Sequence, residues 1–330
     1  MRTLLQLGTA IAFGVLAFSS SALDPTLTVG ADACIDCHTP AHDVWQETTH
    51  FKTYDELSAS DEANEIAEAL EIDDIEDPEG LCVGCHFTLV GDTREDAEPI
   101  AGISCESCHG AAANWVDVHG EYLSGDAASE SAAQKATRIA ASQKAGQIRP
   151  AQINEIASNC LTCHTVPNEK LVNVGGHPAG SDFELVSWSQ GEVRHNLFWS
   201  NGETNKEITP ERKRLLFVVG HATDLEFSLR ALAKSTEAGT FRSAMADRVK
   251  NAMAEVKNIN AKINSSELAS VISAAGSIDP AATPDAGKIS AAADKIQSAV
   301  AAFTKANDGS KLAALDALVP QGDGHYSEKY

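Results

Sequence analysis

Apolar residues recur at every third or fourth position along the last third of the chain, which is the spacing of one face of an α-helix. Thr209, Pro210 and Glu211 begin the first run with a capping hydroxyl, a proline at the first helical position and an early acid. The apolar positions predict three long helices over residues 215–232, 241–263 and 289–303. We therefore predict a helical hairpin or bundle for residues 206–330.

Residues 23–205 lack such long runs, and alternation of the kind that strands show is scarce throughout the chain. A short helix is expected around residues 62–70. The pattern predicts a mostly α fold, in which a first domain rich in irregular loops (residues 23–205) precedes the helical domain.

The first 22 residues have the pattern of a signal peptide. Arg2 is followed by an apolar stretch from Leu4 to Phe18 and then by small residues up to Ala22. The stretch is interrupted by polar residues and falls short of the roughly 20 apolar residues of a membrane span. We expect residues 1–22 to be removed, which predicts a periplasmic or extracellular protein without a membrane span in the mature chain.

All eight cysteines lie in one repeated motif, in which two residues separate a pair of cysteines and a histidine follows at once. The four copies are Cys34-Ile35-Asp36-Cys37-His38, Cys82-Val83-Gly84-Cys85-His86, Cys105-Glu106-Ser107-Cys108-His109 and Cys160-Leu161-Thr162-Cys163-His164. Two thiols about one helical turn apart can bond to the two vinyl groups of one haem, and the next residue then offers an imidazole to the iron. Paired cysteines that bind zinc would not require a histidine after every pair. The motifs therefore predict four covalently attached haem c groups, with His38, His86, His109 and His164 as proximal ligands.

Seven other histidines could supply the second axial ligands, whereas methionine occurs after Met1 only at Met245 and Met253, both in a predicted C-terminal helix. Ligation by two histidines is therefore expected, and low reduction potentials with it. His42 follows His38 by one helical turn and cannot reach the opposite face of the same haem, so we interpret it as exposed or propionate-binding. The packed face of a helix is the expected place of His221.

The order and contents of the motifs resemble the cytochrome c-554 family of tetrahaem electron carriers, over roughly residues 30–164. His50 stands twelve residues after His38, and His119 stands ten residues after His109. The resemblance implies that His50 ligates the fourth haem and His119 the first, that the iron held by His86 lacks a sixth ligand from the protein, and that haems lie in close stacked and crossed pairs.

Beyond His164 the sequence departs from the family, and His177, His195 and His221 compete to ligate the third haem. We favour His195 because apolar residues flank it. His177 lies in a glycine-containing loop that would let the backbone approach a flat cofactor, and it ligates either the third haem or the second. If both His177 and His195 ligate, all four irons are six-coordinate.

The net charge of the chain indicates which kinds of partner it is expected to bind. The chain has 25 Lys and Arg against 47 Asp and Glu, a formal net charge of −22, which disfavours nucleic-acid binding. Twelve acids lie between Asp55 and Glu79, and no Lys or Arg occurs between Lys52 and Arg94. A surface of one sign steers a partner of the opposite sign, so we expect redox partners that dock by a basic face.

Two classes of function fit these features. The first, which we favour, is an exported carrier that transfers electrons between redox partners through closely packed haems. The second is a multihaem oxidoreductase that acts on a small nitrogen or sulfur oxyanion at an open haem bound by His86. The Cys-x-x-Cys-Lys variant that resembles a nitrite-reductase catalytic motif does not occur in the sequence. A subunit of an extracellular haem filament is a third possibility.

Overall fold

The computed structural model of the chain describes residues 23–200 and 202–321. The signal peptide predicted for residues 1–22 lies outside this part. Helices dominate the described residues and strands are few, which confirms the mostly α fold. The boundary predicted near residue 205 stays a prediction. We call residues 23–200 the motif region and the helices of residues 210–306 the bundle.

Short helices joined by loops build the motif region. They are, in chain order, α1 (Asp32–Gln46), α2 (Thr49–Glu56), α3 (Asp61–Ala69), α4 (Val83–His86), α5 (Cys105–His109), α6 (Val116–Gly120), α7 (Ala132–Lys144), α8 (Ile153–His164), α9 (Glu169–Asn173) and α10 (Leu185–Ser189). Between α4 and α5, strands β1 (Thr88–Val90) and β2 (Glu98–Ala101) pair antiparallel, with Leu89 opposite Pro99.

Local sequence explains where several of these helices begin and bend. The Ser60 hydroxyl accepts from the Ala63 amide at the start of α3, the helix expected around residues 62–70. Helix α1 is interrupted at His38, whose φ of −122° and ψ of 29° are not helical. Pro40 follows inside the same helix and has no N–H to continue the hydrogen-bond ladder. The bend therefore separates the first motif from the rest of α1.

Four helices form the bundle: α11 (Pro210–Ala233), α12 (Thr240–Ile263), α13 (Ser266–Ala275) and α14 (Ala286–Ala306). The predicted start of α11 is confirmed, since the Thr209 hydroxyl accepts from the Arg212 amide. The three long helices match the three apolar runs. The sequence analysis missed α13, which is short and separated from the end of α12 by only two residues. Asn264, in the left-handed conformation with φ 50°, and the capping hydroxyl of Ser265 make this tight junction.

The bundle contains the main hydrophobic core. Phe241, Met245, Leu229 and Phe303 are among its fully buried side chains. Residues of α8 and α10, including Ile153, Ala157 and Leu185, join the same cluster. Helix α8 packs against both α11 and α14, so the helix that ends in the fourth motif is attached to the bundle.

A second, much smaller cluster lies in the motif region, around the second motif. It consists of the buried residues Val83, Phe87, Leu89 and Ala97, with Leu57 packed against them. Across residues 23–200 and 202–321, no helix has both the length and the apolar composition needed to cross a bilayer.

Candidate functional site

Each of the four motifs begins or ends a helical turn. The second motif is α4 with Cys82 at its N-cap, the third is α5, and the fourth forms the last turn of α8, so these three helices each end at the motif histidine. The first motif lies in α1, where the backbone leaves the helical conformation at His38. One turn of helix places residues three apart on the same side, so both thiols of a motif can reach one haem.

Each motif histidine faces one other histidine from a distant part of the chain. The distances between ring centroids are 6.1 Å for His38 and His119, 6.1 Å for His50 and His164, 6.3 Å for His86 and His177, and 6.0 Å for His109 and His195. The pairs use all eight histidines that the sequence analysis named as ligands, and each is used once. His221 stands apart in α11, with its ring edge-on to Phe217 at 4.6 Å.

This spacing fits an iron between two imidazoles. With metal–nitrogen bonds of about 2 Å and about 1.1 Å from each nitrogen to its ring centre, opposed rings have centroids about 6 Å apart. The four measured distances of 6.0 to 6.3 Å fall at that value. The four histidine pairs therefore have the spacing that would hold four haem irons, each between one motif histidine and its partner.

Hydrogen bonds fix the orientation of several of these rings. The Nδ1 atoms of His109, His119, His177 and His195 lie 3.0, 2.5, 2.9 and 2.7 Å from the carbonyl oxygens of Ile148, Val116, Pro178 and Val193. A carbonyl only accepts, so Nδ1 carries the hydrogen and Nε2 is left to bind a metal. His164 differs, because its Nδ1 lies 2.9 Å from the hydroxyl of Ser181.

Burial favours the neutral form of five of the eight histidines, His38, His50, His86, His109 and His164. Burial, with smaller contributions from His177 and His50, lowers the pKa of His86 to about 4. Burial is also the largest cause at His164, where His50, Arg248 and His86 add to it and the pKa again falls to about 4. Burial lowers the pKa of His38, His50 and His109 as well. Neutral imidazole is the metal-binding form, so these ligands do not need to lose a proton at neutral pH.

The four motifs lie close together in space as two pairs. The thiols of Cys34 and Cys105 lie close enough to shift each other's pKa, which brings the first motif to the third. Cys85 and Cys163 likewise lie close enough to shift each other's pKa, which brings the second motif to the fourth. Burial raises the pKa of Cys160 in the fourth motif, and Cys108 of the third motif lies close enough to add to that shift. None of the eight cysteines forms a disulfide. The spatial order of the sites is therefore one, three, four and two, which differs from their order along the chain.

A buried carboxylate ties the first and third motifs together. Glu106, between the two cysteines of the third motif, is fully buried. Its oxygens accept from the amides of Val29 at 3.1 Å, Gly30 at 2.8 Å and Ala112 at 2.7 Å. Sequence analysis treated Glu106 as a spacer in the motif, because no local pattern reveals amide partners far away in the chain.

Two further side chains near the motifs are buried with a nitrogen that has no hydrogen-bond partner. They are His42 at Nδ1 and Trp115 at Nε1, and Trp115 packs edge-on to His119 at 5.3 Å. His42 is only 8% exposed, so the exposed alternative considered for it is wrong. A buried nitrogen without a partner is costly, and haem propionates are acceptors that could satisfy it.

Comparison with known proteins also indicates that the first three motifs are haem-binding motifs. The family model described as cytochrome c554 and c-prime matches residues 33–110, which contain those motifs. The cytochrome c-554 of Nitrosomonas europaea is 27% identical to this chain over 168 residues, covering 47% of the chain and 67% of that protein. The expected resemblance to cytochrome c-554 is confirmed. Both matches indicate a c-type cytochrome with covalently bound haem.

No solved structure matches the chain. The bundle lies outside the residues that the cytochrome c554 family model matches. Its contribution to the site must therefore be argued from its own contacts.

Proposed function

We propose that the chain is an exported tetrahaem c-type cytochrome that carries electrons between redox partners. The observation that carries the proposal is the set of four histidine pairs, each joining a motif histidine to a second histidine at 6.0 to 6.3 Å. Haem c supplies one-electron chemistry at each pair when it is bound, and ligation by two histidines favours low reduction potentials. The protein side chains supply the ligands, their orientation and an interior that excludes water.

The pairing supports a carrier over an enzyme that acts at His86. The resemblance to the cytochrome c-554 family implies that the iron held by His86 lacks a sixth ligand from the protein, whereas here the ring of His177 lies 6.3 Å from that of His86. Catalysis on a small oxyanion needs an iron with a free face. With His177 as a ligand, the second haem has both faces occupied, as do the other three.

The close couples of motifs support transfer within the molecule. Cys34 lies beside Cys105, and Cys85 lies beside Cys163, so sites one and three are neighbours, as are sites two and four. The third and fourth motifs adjoin through Cys108 and Cys160. An electron that enters at the first or second site therefore has an unbroken series of neighbouring sites to cross.

Charge supports a partner that docks by a basic face. The acidic residues 55–79 include α3, and Leu70 at the end of α3 lies against Gly175, two residues before His177. The acidic segment thus borders the loop that carries the distal ligand of the second haem. We place the docking face there, and we place the protein in the periplasm, with an extracellular location and a haem filament as the alternatives.

Electron paramagnetic resonance of the oxidised holoprotein tests the proposal, after intact mass has established how many haems are attached. We expect four haems, all low-spin. His177→Ala should convert one of them to high spin, and His221→Ala is the matched control that should leave all four low-spin. Fewer than four attached haems, or a high-spin haem in the unaltered protein that turns over nitrite or hydroxylamine, would overturn the proposal in favour of a smaller cytochrome or an enzyme.

A further inference from the structure

An arginine of the bundle reaches the loop that supports the fourth motif. Arg248, in the middle of α12, has a side chain only 15% exposed. Its Nε donates to the Asp224 carboxylate of α11 at 2.8 Å, and its Nη1 donates to the carbonyl oxygen of Ser181 at 2.8 Å. One guanidinium therefore joins two helices of the bundle to a loop of the motif region.

Ser181 passes this contact to the proximal ligand of the fourth site. Its hydroxyl lies 2.9 Å from Nδ1 of His164, and its amide donates to the carbonyl oxygen of His164 at 3.1 Å. Because Ser181 is held on one side by Arg248 and on the other by His164, the arginine acts on the ligand through a single residue.

The residue before Ser181 has to be glycine. Gly180 has φ +87°, a conformation that residues with a side chain rarely adopt. A Cβ at this position would also lie 2.9 Å from Nη1 of Arg248 and 3.4 Å from the carbonyl oxygen of His164. The loop is thus shaped to admit the guanidinium.

The fourth site differs in this respect from the other sites. His109, His119, His177 and His195 have backbone carbonyls as acceptors for Nδ1. His164 instead has the hydroxyl of Ser181, a residue whose carbonyl accepts from the Arg248 guanidinium. A weaker acceptor leaves the imidazole a poorer electron donor, and a nearby cation disfavours the ferric state, which carries one more positive charge than the ferrous state. Both effects raise a reduction potential.

We propose that Arg248 is a positioning residue that raises the reduction potential of the haem held by His164 and His50. The bundle thereby tunes the fourth site. The inference rests on the proposed tetrahaem function, because it assigns a property to one of the four sites.

The test is a spectroelectrochemical titration of the holoprotein and of four variants whose haem content has first been measured by mass. In Arg248→Gln, one of the four potentials should fall, shifting that haem's equilibrium about tenfold towards the oxidised state, which is about 59 mV for a one-electron couple. Arg248→Lys keeps the charge and should recover part of that shift. Asp224→Asn removes the opposing anion and should move the same potential upwards.

Arg248→Gln and Asp224→Asn break the same ion pair, so a purely structural role would shift the potential in the same direction in both variants. Shifts of opposite sign would show that the charge of Arg248 acts on the potential. The control is Arg242→Gln, which removes an arginine of the same helix that bonds to Ser235 at 2.9 Å, and it should leave all four potentials unchanged. No shift in Arg248→Gln, or shifts of the same sign in the two variants, would overturn the inference. If Arg248→Gln does not accumulate, the upward shift in Asp224→Asn decides the question. A haem count below four would instead overturn the proposed function.

Discussion

The motif region and the bundle have different kinds of interior. The bundle buries large apolar side chains such as Phe241, Leu229 and Phe303 in one extensive cluster. In the motif region, the separate cluster is limited to Val83, Phe87, Leu89 and Ala97 with one partly buried neighbour. The bundle can therefore be stabilised by its own side chains, whereas four haems would supply much of the apolar interior of the motif region.

The fourth motif is the point where the two kinds of interior meet. Its helix α8 contributes Ile153 and Ala157 to the bundle's cluster, while its last turn carries Cys160, Cys163 and His164. The first three motifs lie on helices that contribute nothing to that cluster. We therefore expect the fourth site to depend on the bundle more than the others do.

The largest effect should come from withholding haem. Expressed without haem-ligation machinery, the chain should keep α11, α12 and α14 but lose stable structure in residues 30–150, because the side-chain core is in the bundle. Hydrogen exchange followed by mass spectrometry measures both regions in one sample, with the holoprotein as the control. Equal protection of the two regions in the haem-free chain would contradict the comparison.

Truncating a side chain in the core of the bundle should have the second-largest effect on stability, after withholding haem. Phe241 is fully buried, so Phe241→Ala should lower the free energy of unfolding of the bundle by about 3–5 kcal/mol. Denaturant unfolding followed by circular dichroism measures the loss, and the haem absorption of the folded protein should be unchanged. Leu123→Ala, at a side chain 57% exposed, is the control and should change stability by less than about 0.5 kcal/mol.

The bundle should become less stable as the pH rises, because one of its buried carboxyl groups holds a proton in the folded state. Glu226 is 2% exposed, and burial raises its pKa from 4.5 to about 7 although Arg230 opposes the shift. The folded state therefore holds a proton that the unfolded state releases between about pH 4.5 and 7. This group's contribution to stability should fall by up to about 3 kcal/mol as the pH rises through that window and stay constant above it.

The measurement is the free energy of unfolding of the parent and of Glu226→Gln at several pH values. The difference between the two proteins should change across the window, since glutamine does not titrate. A constant difference from pH 4.5 to 7.5 would show that the carboxylate is ionised in the fold throughout.

The smallest expected effect concerns the polar interior of the motif region. Glu106→Gln keeps the shape of the side chain but removes the charge that accepts from the amides of Val29, Gly30 and Ala112. We expect a loss of about 2 kcal/mol in the holoprotein, measured by thermal unfolding at the haem absorption band. Glu121→Gln, at an exposed position, is the control. An equal loss in both variants would mean that the buried carboxylate has no special role.

Much of the helical framework could be predicted because its signals are local. Thr209 and Pro210 mark the start of α11, and the apolar spacing after them continues to its end. Helix α13 escaped prediction because only two residues separate it from α12 and its ten residues show few helical turns. Short helices leave too little periodicity to be recognised.

The candidate site likewise has residues that could be predicted from the sequence and residues that could not. The motifs with their cysteines and proximal histidines are read directly from the chain, and the resemblance supplied His50 and His119. Whether His177 faces the second or the third motif depends on how distant loops pack, so the sequence analysis left both options open. The contact of Arg248 with Ser181 has no local signal at all, because α12 is far from the fourth motif in the chain. The ligand roles stay predictions until the spectra are measured.

The attachment of α8 to the bundle has a consequence for the speed of electron exchange. A helix that packs against two others has little freedom to shift when the charge at its end changes. Small nuclear rearrangement on oxidation or reduction makes the activation barrier low. We therefore expect the iron at the end of α8 to exchange electrons with its neighbours faster than an iron held only by loops.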